Sequence, residues 1–352
     1  MATVYSNLDL INKLDSFPDE KKQPEQYAEY LKGLYIVEWS DDGGATTYAI
    51  GYMLKAVFAK LVAVPKAELE SFGFDSSVDL QAAAAAPGGT LPLYRLLARQ
   101  TTEPERTKTM EALNQYWRKN ETFTVLAGWR DELWPVYGRG SGDKANPELL
   151  FSVERAATGL LGVVRYGVHL TAYVTDSVTS ELKIWVPRRA ATKSTYPSML
   201  DNTVAGGLMT AEDPFECMVR EADEEASLPE NVVRDNAKAV GIITYAYITD
   251  ERAGGEAGYI YPECEWIYDL PLPESIVPQP KDGEVESFML CTVAEVREQL
   301  SQGLYKPNCA VVLIHFLARH GLLTLENEPH LTAIMGRLQR VLAFPGPHEA
   351  EQ

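Results

Sequence analysis

Three glutamates, one arginine and a pair of glycines stand at fixed spacings within residues 206–228, which read GGLMTAEDPFECMVREADEEASL. Glu221, Glu224 and Glu225 are related as i, i+3 and i+4, so on a helix their carboxylates lie on neighbouring positions of one face. Carboxylates this close repel one another unless a positive charge lies between them. Oxygen ligands of this kind suit Mg²⁺ or Mn²⁺. The spacing therefore predicts a divalent-metal site, whereas the alternative, a solvated acidic face, leaves the two upstream glycines unexplained.

The helix that carries these glutamates is predicted over residues 213–228. Asp213 is a suitable N-cap, and Pro214 can occupy the first helical position without loss of a hydrogen bond. Glu216 is placed to complete a capping box, and Pro229 marks the end of the helix. One arc of the helix is apolar and is expected to pack against a core: Phe215, Met218, Val219, Ala222 and Ala226.

A bound divalent ion would give this segment a defined chemistry. A diphosphate carries several negative charges, and metal ions neutralise them, orient the oxygens and lower the pKa of a coordinated water. Arg220 is placed to pair with Glu224, which fixes one carboxylate. Gly206 and Gly207 allow the backbone to approach a metal and phosphates closely. The residues themselves predict a metal-dependent diphosphate hydrolase.

The same segment resembles the Nudix box, G-x5-E-x7-R-E-U-x-E-E-x-G-U with U aliphatic, and departs from it only at Ser227, where glycine is usual. The resemblance implies an α/β fold, the Nudix α/β/α sandwich with a mixed sheet, and an enzyme that hydrolyses phosphoanhydrides. It implies that Glu212 supports the loop. The implied metal ligands are the carbonyl of Gly206 and the side chains of Glu221, Glu224 and Glu225. The implied catalytic residues are Glu224, Glu221 and Arg220, with Glu224 or Glu221 acting as the base.

A narrower resemblance extends over most of the chain. Residues 167–174, 184–207, 282–290 and 305–321 resemble the Nudix proteins related to thiamine pyrophosphokinase. Upstream, residues 128–138 and 151–169 resemble the extra N-terminal domain, a smaller α+β unit, that those proteins carry. The Ala-Ser ending of the box is typical of this subgroup. The resemblance implies removal of the terminal phosphate from oxo- and oxy-thiamine diphosphate, a metabolite-repair reaction, whereas composition and the box alone indicate only a diphosphate hydrolase.

Further site residues are predicted outside the box. Arg188, Arg189 and Lys193 follow a predicted strand, where they either bind a substrate phosphate or form a solvated basic turn. Glu284 precedes another strand, where Nudix enzymes often supply a further metal ligand or base. Asp201 either shapes the pocket or belongs to turn chemistry, as does Asn202 after it.

Two aromatic residues and one histidine each have two interpretations. Trp129 and Trp134 could cover an aromatic heterocycle by stacking or form the core of a domain interface. His169 alternates with apolar residues on a predicted strand, which favours a hydrogen-bonded structural histidine. Lys306 and Asn308 match the subgroup, but the sequence assigns them no chemistry.

Composition narrows the class of protein. Acidic residues outnumber basic ones by 50 to 32, which gives a net charge of −18 over 352 residues. A nucleic-acid partner normally requires a basic footprint, so nucleic acid is not expected. Neither a signal-peptide layout nor a membrane-length apolar stretch is present, so a cytoplasmic location without a membrane partner is expected. Four widely spaced cysteines are predicted to be reduced core thiols: Cys217, Cys264, Cys291 and Cys309.

The chain is predicted to contain an N-terminal α+β domain over 1–147, a Nudix domain over 148–325 and a C-terminal tail over 326–352. The first domain is expected to contain a hairpin over 34–53, a surface excursion over 75–92, a helix over 104–119 and a hinge over 139–147. The second is expected to contain strands near 166–175, 181–187, 239–249, 264–270 and 284–291, and helices near 213–228, 292–302 and 308–320. The tail is expected to contain a short helix and a disordered acidic end.

Three functional hypotheses remain open at this point. The first is hydrolysis of damaged thiamine diphosphate, and the second is hydrolysis of a nucleoside diphosphate derivative such as a nucleotide sugar. The third is a non-catalytic module that binds a diphosphate. In each case the partner is a small-molecule diphosphate, with Mg²⁺ or Mn²⁺ as cofactor, and a homodimer is an open alternative to a monomer.

Overall fold

The N-terminal part combines short helices with a small sheet. In the computed structural model, residues 4–85, 89–140 and 147–351 are described, so Pro87, Gly88 and most of the expected hinge over 139–147 lie outside the description. The elements of this part are α1 (Asn7–Leu14), α2 (Pro24–Leu31), β1 (Leu34–Trp39), β2 (Tyr48–Leu54), α3 (Lys55–Val62), α4 (Lys66–Phe72), α5 (Leu80–Ala85), β3 (Thr90–Pro92), α6 (Leu93–Leu96) and α7 (Glu103–Lys119).

The expected hairpin and long helix of this part are confirmed. β1 and β2 pair antiparallel across a turn in which Gly43 and Gly44 have φ of 72° and 102°, and β3 lies parallel to β1. α7 buries Met110, Leu113 and Trp117 on one face. Its capping box is closed by Thr102 and the Glu105 side chain, which fixes its start.

A two-stranded ribbon leads from the N-terminal part to the main sheet. β4 (Leu133–Gly138) and β5 (Glu148–Glu154) pair antiparallel, and the short helix α8 (Thr158–Leu161) follows them. The sequence did not predict these strands. The expected boundary at residue 147 therefore falls between two paired strands.

The main sheet has six strands. They are β6 (Arg165–Thr175), β7 (Leu182–Arg189), β8 (Val204–Gly207), β9 (Lys238–Ile248), β10 (Ile260–Pro271) and β11 (Val285–Thr292). The order is β11-β7-β6-β10-β9, and β8 pairs with the first half of β6. β10 runs parallel to β6 and the other neighbours are antiparallel, so the sheet is mixed. The five predicted strands are all present, and only the four-residue β8 was missed.

Helices cover both faces of this sheet. They are α9 (Pro214–Ala226), α10 (Glu230–Asn236), α11 (Val293–Ser301), α12 (Pro307–Arg319) and α13 (Leu331–Arg337). Val168 and Leu170 of β6 belong to the same core cluster as Met218 of α9. On the opposite face, Tyr173 of β6 packs edge-on against Phe316 of α12, with ring centroids 5.5 Å apart. The predicted α/β/α sandwich with a mixed sheet is therefore confirmed.

The start of α9 agrees with the sequence except at one residue. The Asp213 carboxylate accepts hydrogen bonds from the backbone N–H groups of Phe215 (2.9 Å) and Glu216 (3.2 Å). The predicted capping box is wrong, because the Glu216 carboxylate does not return to Asp213. It pairs instead with both terminal nitrogens of Arg234, at 2.8 and 2.7 Å. A long-range bidentate ion pair thus replaces the expected local contact.

The C-terminal segment is ordered and packed, which corrects the expectation of a disordered end. After the expected short helix α13, Leu342, Phe344 and His348 are buried. Arg340 donates to Asp15 and to the carbonyl of Phe17, so the end of the chain is also bound to its beginning. Apolar side chains spaced two or more residues apart hold this segment, and they form no helical or strand period that sequence reasoning could detect.

The four cysteines are free and buried, as predicted. Within the residues that the structure describes, no helix has the length and apolar character required to cross a membrane.

We expect Phe344→Ala to lower the free energy of unfolding by about 3–5 kcal/mol, because it empties a buried aromatic site. The Phe344 ring is 2% exposed and its centroid lies 4.7 Å from that of Tyr52. Urea denaturation measures the change, with Val341→Ala at a 74% exposed position as the control. Equal stability of the two variants would show that the C-terminal segment does not contribute to the core.

We also expect stability to fall below neutral pH because of His348. Burial lowers the pKa of His348 to about 4, from an ordinary value of 6.5. Between these two pH values the unfolded chain binds a proton at His348 that the folded chain does not bind. The free energy of unfolding therefore decreases as pH falls from about 6.5 towards 4. Between pH 7 and pH 5 this proton uptake lowers the free energy of unfolding by about 2 kcal/mol. His348→Gln should reduce the pH dependence by that amount in urea titrations, and an unchanged pH dependence would contradict the assignment.

Candidate active site

A cavity of about 440 Å³ lies where the ribbon meets the main sheet. Gly206 and Gly207 of β8 line one side of it, and Arg130, Trp134 and Arg155 line another. The glycine bend that precedes the box helix is therefore also a wall of the cavity. The two parts of the chain meet at this point.

Each of the two glycines is required by a close neighbour. A Cβ atom on Gly206 would lie 2.3 Å from the carboxyl carbon of Glu221, so that side chain packs directly on the glycine backbone. A Cβ atom on Gly207 would lie 2.3 Å from the Trp134 ring. The sequence predicts that these glycines let a metal and phosphates approach the backbone. In the structure, Glu221 of the box and Trp134 of the ribbon make that close approach.

Arg220 holds three carboxylates of the box. Its Nε and Nη2 donate to Glu212, at 2.8 and 3.2 Å. Its Nη1 donates to Glu221 and to Glu224, each at 2.9 Å. The predicted pairing of Arg220 with Glu224 is confirmed, and Glu212 also accepts from the N–H of Met209, as expected of a residue that supports the loop.

Glu225 is a buried carboxyl and Glu221 a largely buried one, and they lie within reach of each other's charge. Burial raises the pKa of Glu221 to about 7; the charge of Arg220 opposes this rise and the charge of Glu224 adds to it. Burial and the charge of Glu221 raise the pKa of Glu225 well above its usual range. Glu225 also accepts a hydrogen bond from the backbone N–H of Ala205, at 3.0 Å. Two carboxyls in this state favour a proton or a cation between them.

The carboxylate oxygens of the box are donors of the type that a divalent cation such as Mg²⁺ binds. Nevertheless, over residues 4–85, 89–140 and 147–351 no three Asp, Glu, His or Cys side chains are gathered as a metal-holding group. The reason is that Arg220 binds Glu221 and Glu224, whereas Glu225 is turned towards Ala205. The Glu224 side chain is half exposed, so it can leave the arginine for an ion without rearrangement of the core.

Ser227 occupies the position where glycine is usual in the box. Its φ is 52°, in the left-handed region, and it ends α9 as the C-cap. The N–H of Leu228 returns to the carbonyl of Ala222 at 3.1 Å, which closes the helix end. The usual glycine is explained by this conformation, and the serine adopts it at the end of an intact helix.

The predicted phosphate-binding arginines do not line the cavity. Arg189 is buried and donates to Asp201 (2.6 Å) and to the carbonyls of Tyr196 (3.1 Å) and Thr195 (2.9 Å). Arg188 donates to the carbonyl of Ser198 at 2.9 Å. These bonds hold the loop that follows β7, which disagrees with the prediction that either residue binds a substrate phosphate.

Lys193 and Glu284, in contrast, meet near the box. The Lys193 ammonium donates to Glu284, and Arg130 Nη1 lies 3.8 Å from the other oxygen of the same carboxylate. Burial raises the pKa of Glu284, but the hydrogen bond from Lys193 and the charges of Lys193, Arg130 and Arg155 outweigh it and lower that pKa. Glu284 is thus surrounded by cations, and its role as a metal ligand stays a prediction.

Asp201 and Asn202 organise the interior beneath the cavity. Asp201 binds Arg189, and the Cys309 thiol donates to its other oxygen. Asn202 Oδ1 lies 2.8 Å from His169 Nδ1, so His169 is a hydrogen-bonded histidine as predicted. These contacts favour the structural interpretation of all three residues.

The inner end of the cavity is rich in hydrogen-bond acceptors. Tyr245 of β9 donates to both Glu263 and Glu265 of β10, at 3.0 Å for Glu265. Glu265 Oε2 lies over Gly167, where a Cβ atom would be 2.3 Å from it, and 3.7 Å from His169 Nε2. The sequence did not single out these two glutamates, because their register is set by pairing with a distant strand.

Four basic residues that the sequence did not assign line the cavity: Arg130, Arg155, Arg165 and Lys306. Arg165 donates to Glu263 at 2.9 Å and lies 4.2 Å over the Tyr261 ring. Arg130 lies within segment 128–138, Arg155 and Arg165 within 151–169, and Lys306 within 305–321, so the resemblance covers all four residues without assigning roles to them.

Comparisons with known proteins agree with this arrangement. The family described as "NUDIX domain" matches residues 166–309, which contain the whole box. The family described as "Domain of unknown function (DUF4743)" matches residues 91–165, which contain α7, the ribbon and Arg155. The two matches meet at the start of β6 and not at residue 147.

Curated relatives cover different shares of the chain. Uncharacterized protein YJR142W of Saccharomyces cerevisiae is 33% identical over 346 residues, 97% of this chain and 92% of that protein. Nudix hydrolase 20, chloroplastic, of Arabidopsis thaliana is 38% identical over 209 residues, 59% of this chain and 52% of that protein. Nudix hydrolase 24, chloroplastic, of the same plant is 36% identical over 209 residues, 59% of this chain and 53% of that protein. The match spans about half the length of the two plant relatives.

The box on α9, the glycine bend that Glu221 packs against and the NUDIX match over the main sheet agree with one another. Residues 166–309 of this chain match the NUDIX domain family, and the chain is similar to Nudix hydrolases of Arabidopsis thaliana.

Proposed function

We propose that the protein hydrolyses the diphosphate of thiamine diphosphate analogues, the oxo- and oxy-thiamine forms, to the monophosphate and phosphate with Mg²⁺ or Mn²⁺. One observation supports this most directly: the cavity is lined by the same glycine bend on which the Glu221 carboxyl packs. A small diphosphate that fills the cavity therefore brings its phosphates to the box.

The shape and lining of the cavity support a small heterocyclic substrate. Its volume of about 440 Å³ lies within the usual range of small-molecule sites. Tyr196, Tyr247 and Tyr261 line it, and aromatic side chains of this kind suit an aromatic or cationic heterocycle. Glu263 and Glu265 at its inner end offer acceptors to the nitrogen-bound hydrogens of such a ring. The choice of thiamine itself depends on the resemblance in sequence.

The metal would be held by the carbonyl of Gly206 and by Glu221, Glu224 and Glu225. When bound, it neutralises the diphosphate charge and lowers the pKa of a coordinated water. Burial raises the pKa of Glu221 to about 7, so without a metal this carboxyl takes up a proton near neutral pH, and a bound cation would favour its ionised form. Arg220 orients Glu221 through Nη1, which places it in the catalytic set as a positioning residue.

A cytoplasmic enzyme is part of the proposal. Its support is the four buried free thiols, which suit a reducing compartment.

Substrate choice can be tested with the purified chain and Mg²⁺. We expect oxo-thiamine and oxy-thiamine diphosphate to be hydrolysed with higher kcat/KM than thiamine diphosphate, ADP-ribose or nucleotide sugars, measured by released phosphate and monophosphate. Faster turnover of a nucleotide than of every thiamine compound would instead support the nucleoside diphosphate alternative.

The box is tested with the variant Glu225→Gln, because glutamine keeps an acceptor for the N–H of Ala205 but has no negative charge. We expect it to lower kcat by about 100-fold or more at unchanged unfolding midpoint. Full activity of this variant would show that the box is not the reaction site. No turnover of any diphosphate by the wild-type chain would support the non-catalytic binding module.

A second test places one methyl group at the bend. We expect Gly206→Ala to lower kcat by about 100-fold, because its Cβ would lie 2.3 Å from the Glu221 carboxyl and displace it. The control is Gly336→Ala in α13, where a Cβ meets no atom within 4 Å. Wild-type kcat in Gly206→Ala would show that the position of Glu221 does not matter for the reaction.

A further inference from the structure

Two cations contact one carboxylate beside the box, and a third basic residue lines the same cavity. Lys193 donates to one oxygen of Glu284, and Arg130 Nη1 lies 3.8 Å from the other. Arg155 lines the cavity together with Arg130, and its Nη1 donates to Glu132 at 3.0 Å. In a chain with a net charge of −18, these three basic residues form a local concentration of positive charge beside Glu284 and Glu132. Such a cluster is the kind of environment that binds an anion.

The cluster lies next to the box glutamates. The Glu221 carboxyl packs on Gly206, and the Glu225 carboxylate accepts a hydrogen bond from the N–H of Ala205. Arg130 and Arg155 both line the cavity, as do Gly206 and Gly207. An anion that reached these cations from the cavity would therefore lie beside the metal-binding face of α9.

Buried contacts hold the two arginines in position. The buried Glu154 carboxylate accepts from the backbone N–H of Arg130 (3.0 Å) and of Ala156 (3.3 Å), so it ties together the two segments that carry them. The guanidinium of Arg155 lies 5.3 Å over the Trp134 ring, and its Nη1 donates to Glu132 at 3.0 Å.

The ribbon is in turn fastened to the box loop. Thr210, which follows the glycine bend, donates from its N–H to the carbonyl of Leu133 at 2.9 Å, and its hydroxyl donates to Ser152 at 2.9 Å. Trp134 fills the space over Gly207. Direct contacts therefore fix the positions of Arg130 and Arg155, which flank the ribbon, relative to Glu221.

We propose that Arg130, Arg155 and Lys193 form a binding site for a phosphate group of the substrate, and that Glu284 holds Lys193 and Arg130 until the substrate displaces it. The inference rests on the proposed function for the identity of the substrate, but it concerns any diphosphate that enters the cavity. It gives a role to residues 91–165, in which Arg130 and Arg155 lie on either side of the ribbon.

Exchange of Glu284 for a phosphate is physically reasonable. Both partners of the Arg130–Glu284 contact are about one-third exposed, so this ion pair contributes little and can open. A phosphate group carries more negative charge than a carboxylate and offers more acceptor oxygens to the planar forks of two arginines. The substrate therefore competes favourably with Glu284 for Lys193 and Arg130.

The test uses the full chain and inorganic pyrophosphate as the probe, in buffer with EDTA, so that the box metal plays no part. Isothermal titration calorimetry should show binding to the wild-type chain that weakens roughly tenfold or more in Arg155→Ala and Arg130→Ala, because each loses charge-assisted hydrogen bonds. Lys193→Ala should weaken it similarly. Glu284→Gln should tighten binding about two- to fivefold, because an internal competitor is neutralised.

The matched control is Arg99→Ala. Arg99 lies within the same residues 91–165, is 55% exposed and pairs with Asp75, and its loss changes the net charge by the same amount. Arg155→Gln keeps polar atoms beside Trp134 and serves as the second variant if the alanine variant does not fold. Unfolding midpoints are compared for all variants.

Either absence of pyrophosphate binding to the wild-type chain or equal weakening by Arg99→Ala and Arg155→Ala would overturn the anion site. Unchanged binding in Glu284→Gln would overturn the role of Glu284. If the binding pattern holds but no thiamine compound is hydrolysed, the substrate proposal fails and the anion site stands. If thiamine compounds are hydrolysed with the same KM in wild-type, Arg130→Ala and Arg155→Ala, the anion site fails and the substrate proposal stands.

Discussion

The site depends on the repulsion between carboxylates that share one face of a short helix. Four glutamates, Glu212, Glu221, Glu224 and Glu225, meet around the box, and Arg220 binds three of them. This single guanidinium partly neutralises the cluster, but Glu225 remains beyond its reach and keeps a strongly raised pKa. The helix is therefore stable as it stands and still favours further positive charge at Glu221 and Glu225, which is the condition that a divalent metal site requires.

Two glycines connect this electrostatic feature to the rest of the molecule. Because Gly206 has no Cβ, Glu221 can pack on the backbone of β8, and because Gly207 has none, Trp134 can do the same from the other side. The bend is thus packed between the box helix and the ribbon. A change in the ribbon is transmitted to the box through contacts of van der Waals distance, since packed interiors have little room to absorb it.

Features with a local cause were predictable from the sequence. The N-cap of α9, the strands of the main sheet and the pairing of Arg220 with Glu224 follow from neighbours within a few residues. Features with a distant cause were not. Glu216 forms an ion pair with Arg234 instead of capping its own helix, and Arg189 forms one with Asp201. Phe344 of the C-terminal segment packs against Tyr52. The ribbon that precedes Arg155 is not predicted, because the composition of residues 139–147 indicates a hinge between domains and not the connection of two paired strands.

The positions of Arg130 and Arg155 show that two segments of the chain contribute residues to the cavity. The NUDIX match begins at residue 166, so the box, the glycine bend and the inner glutamates lie inside it, whereas both arginines lie before it. The cavity is lined both by residues of the main sheet and by residues of the segment before it. The box glutamates and the glycine bend thus come from one segment, whereas Arg130 and Arg155 come from the segment before it. Because both segments line the cavity, neither match alone contains the whole lining of the candidate site.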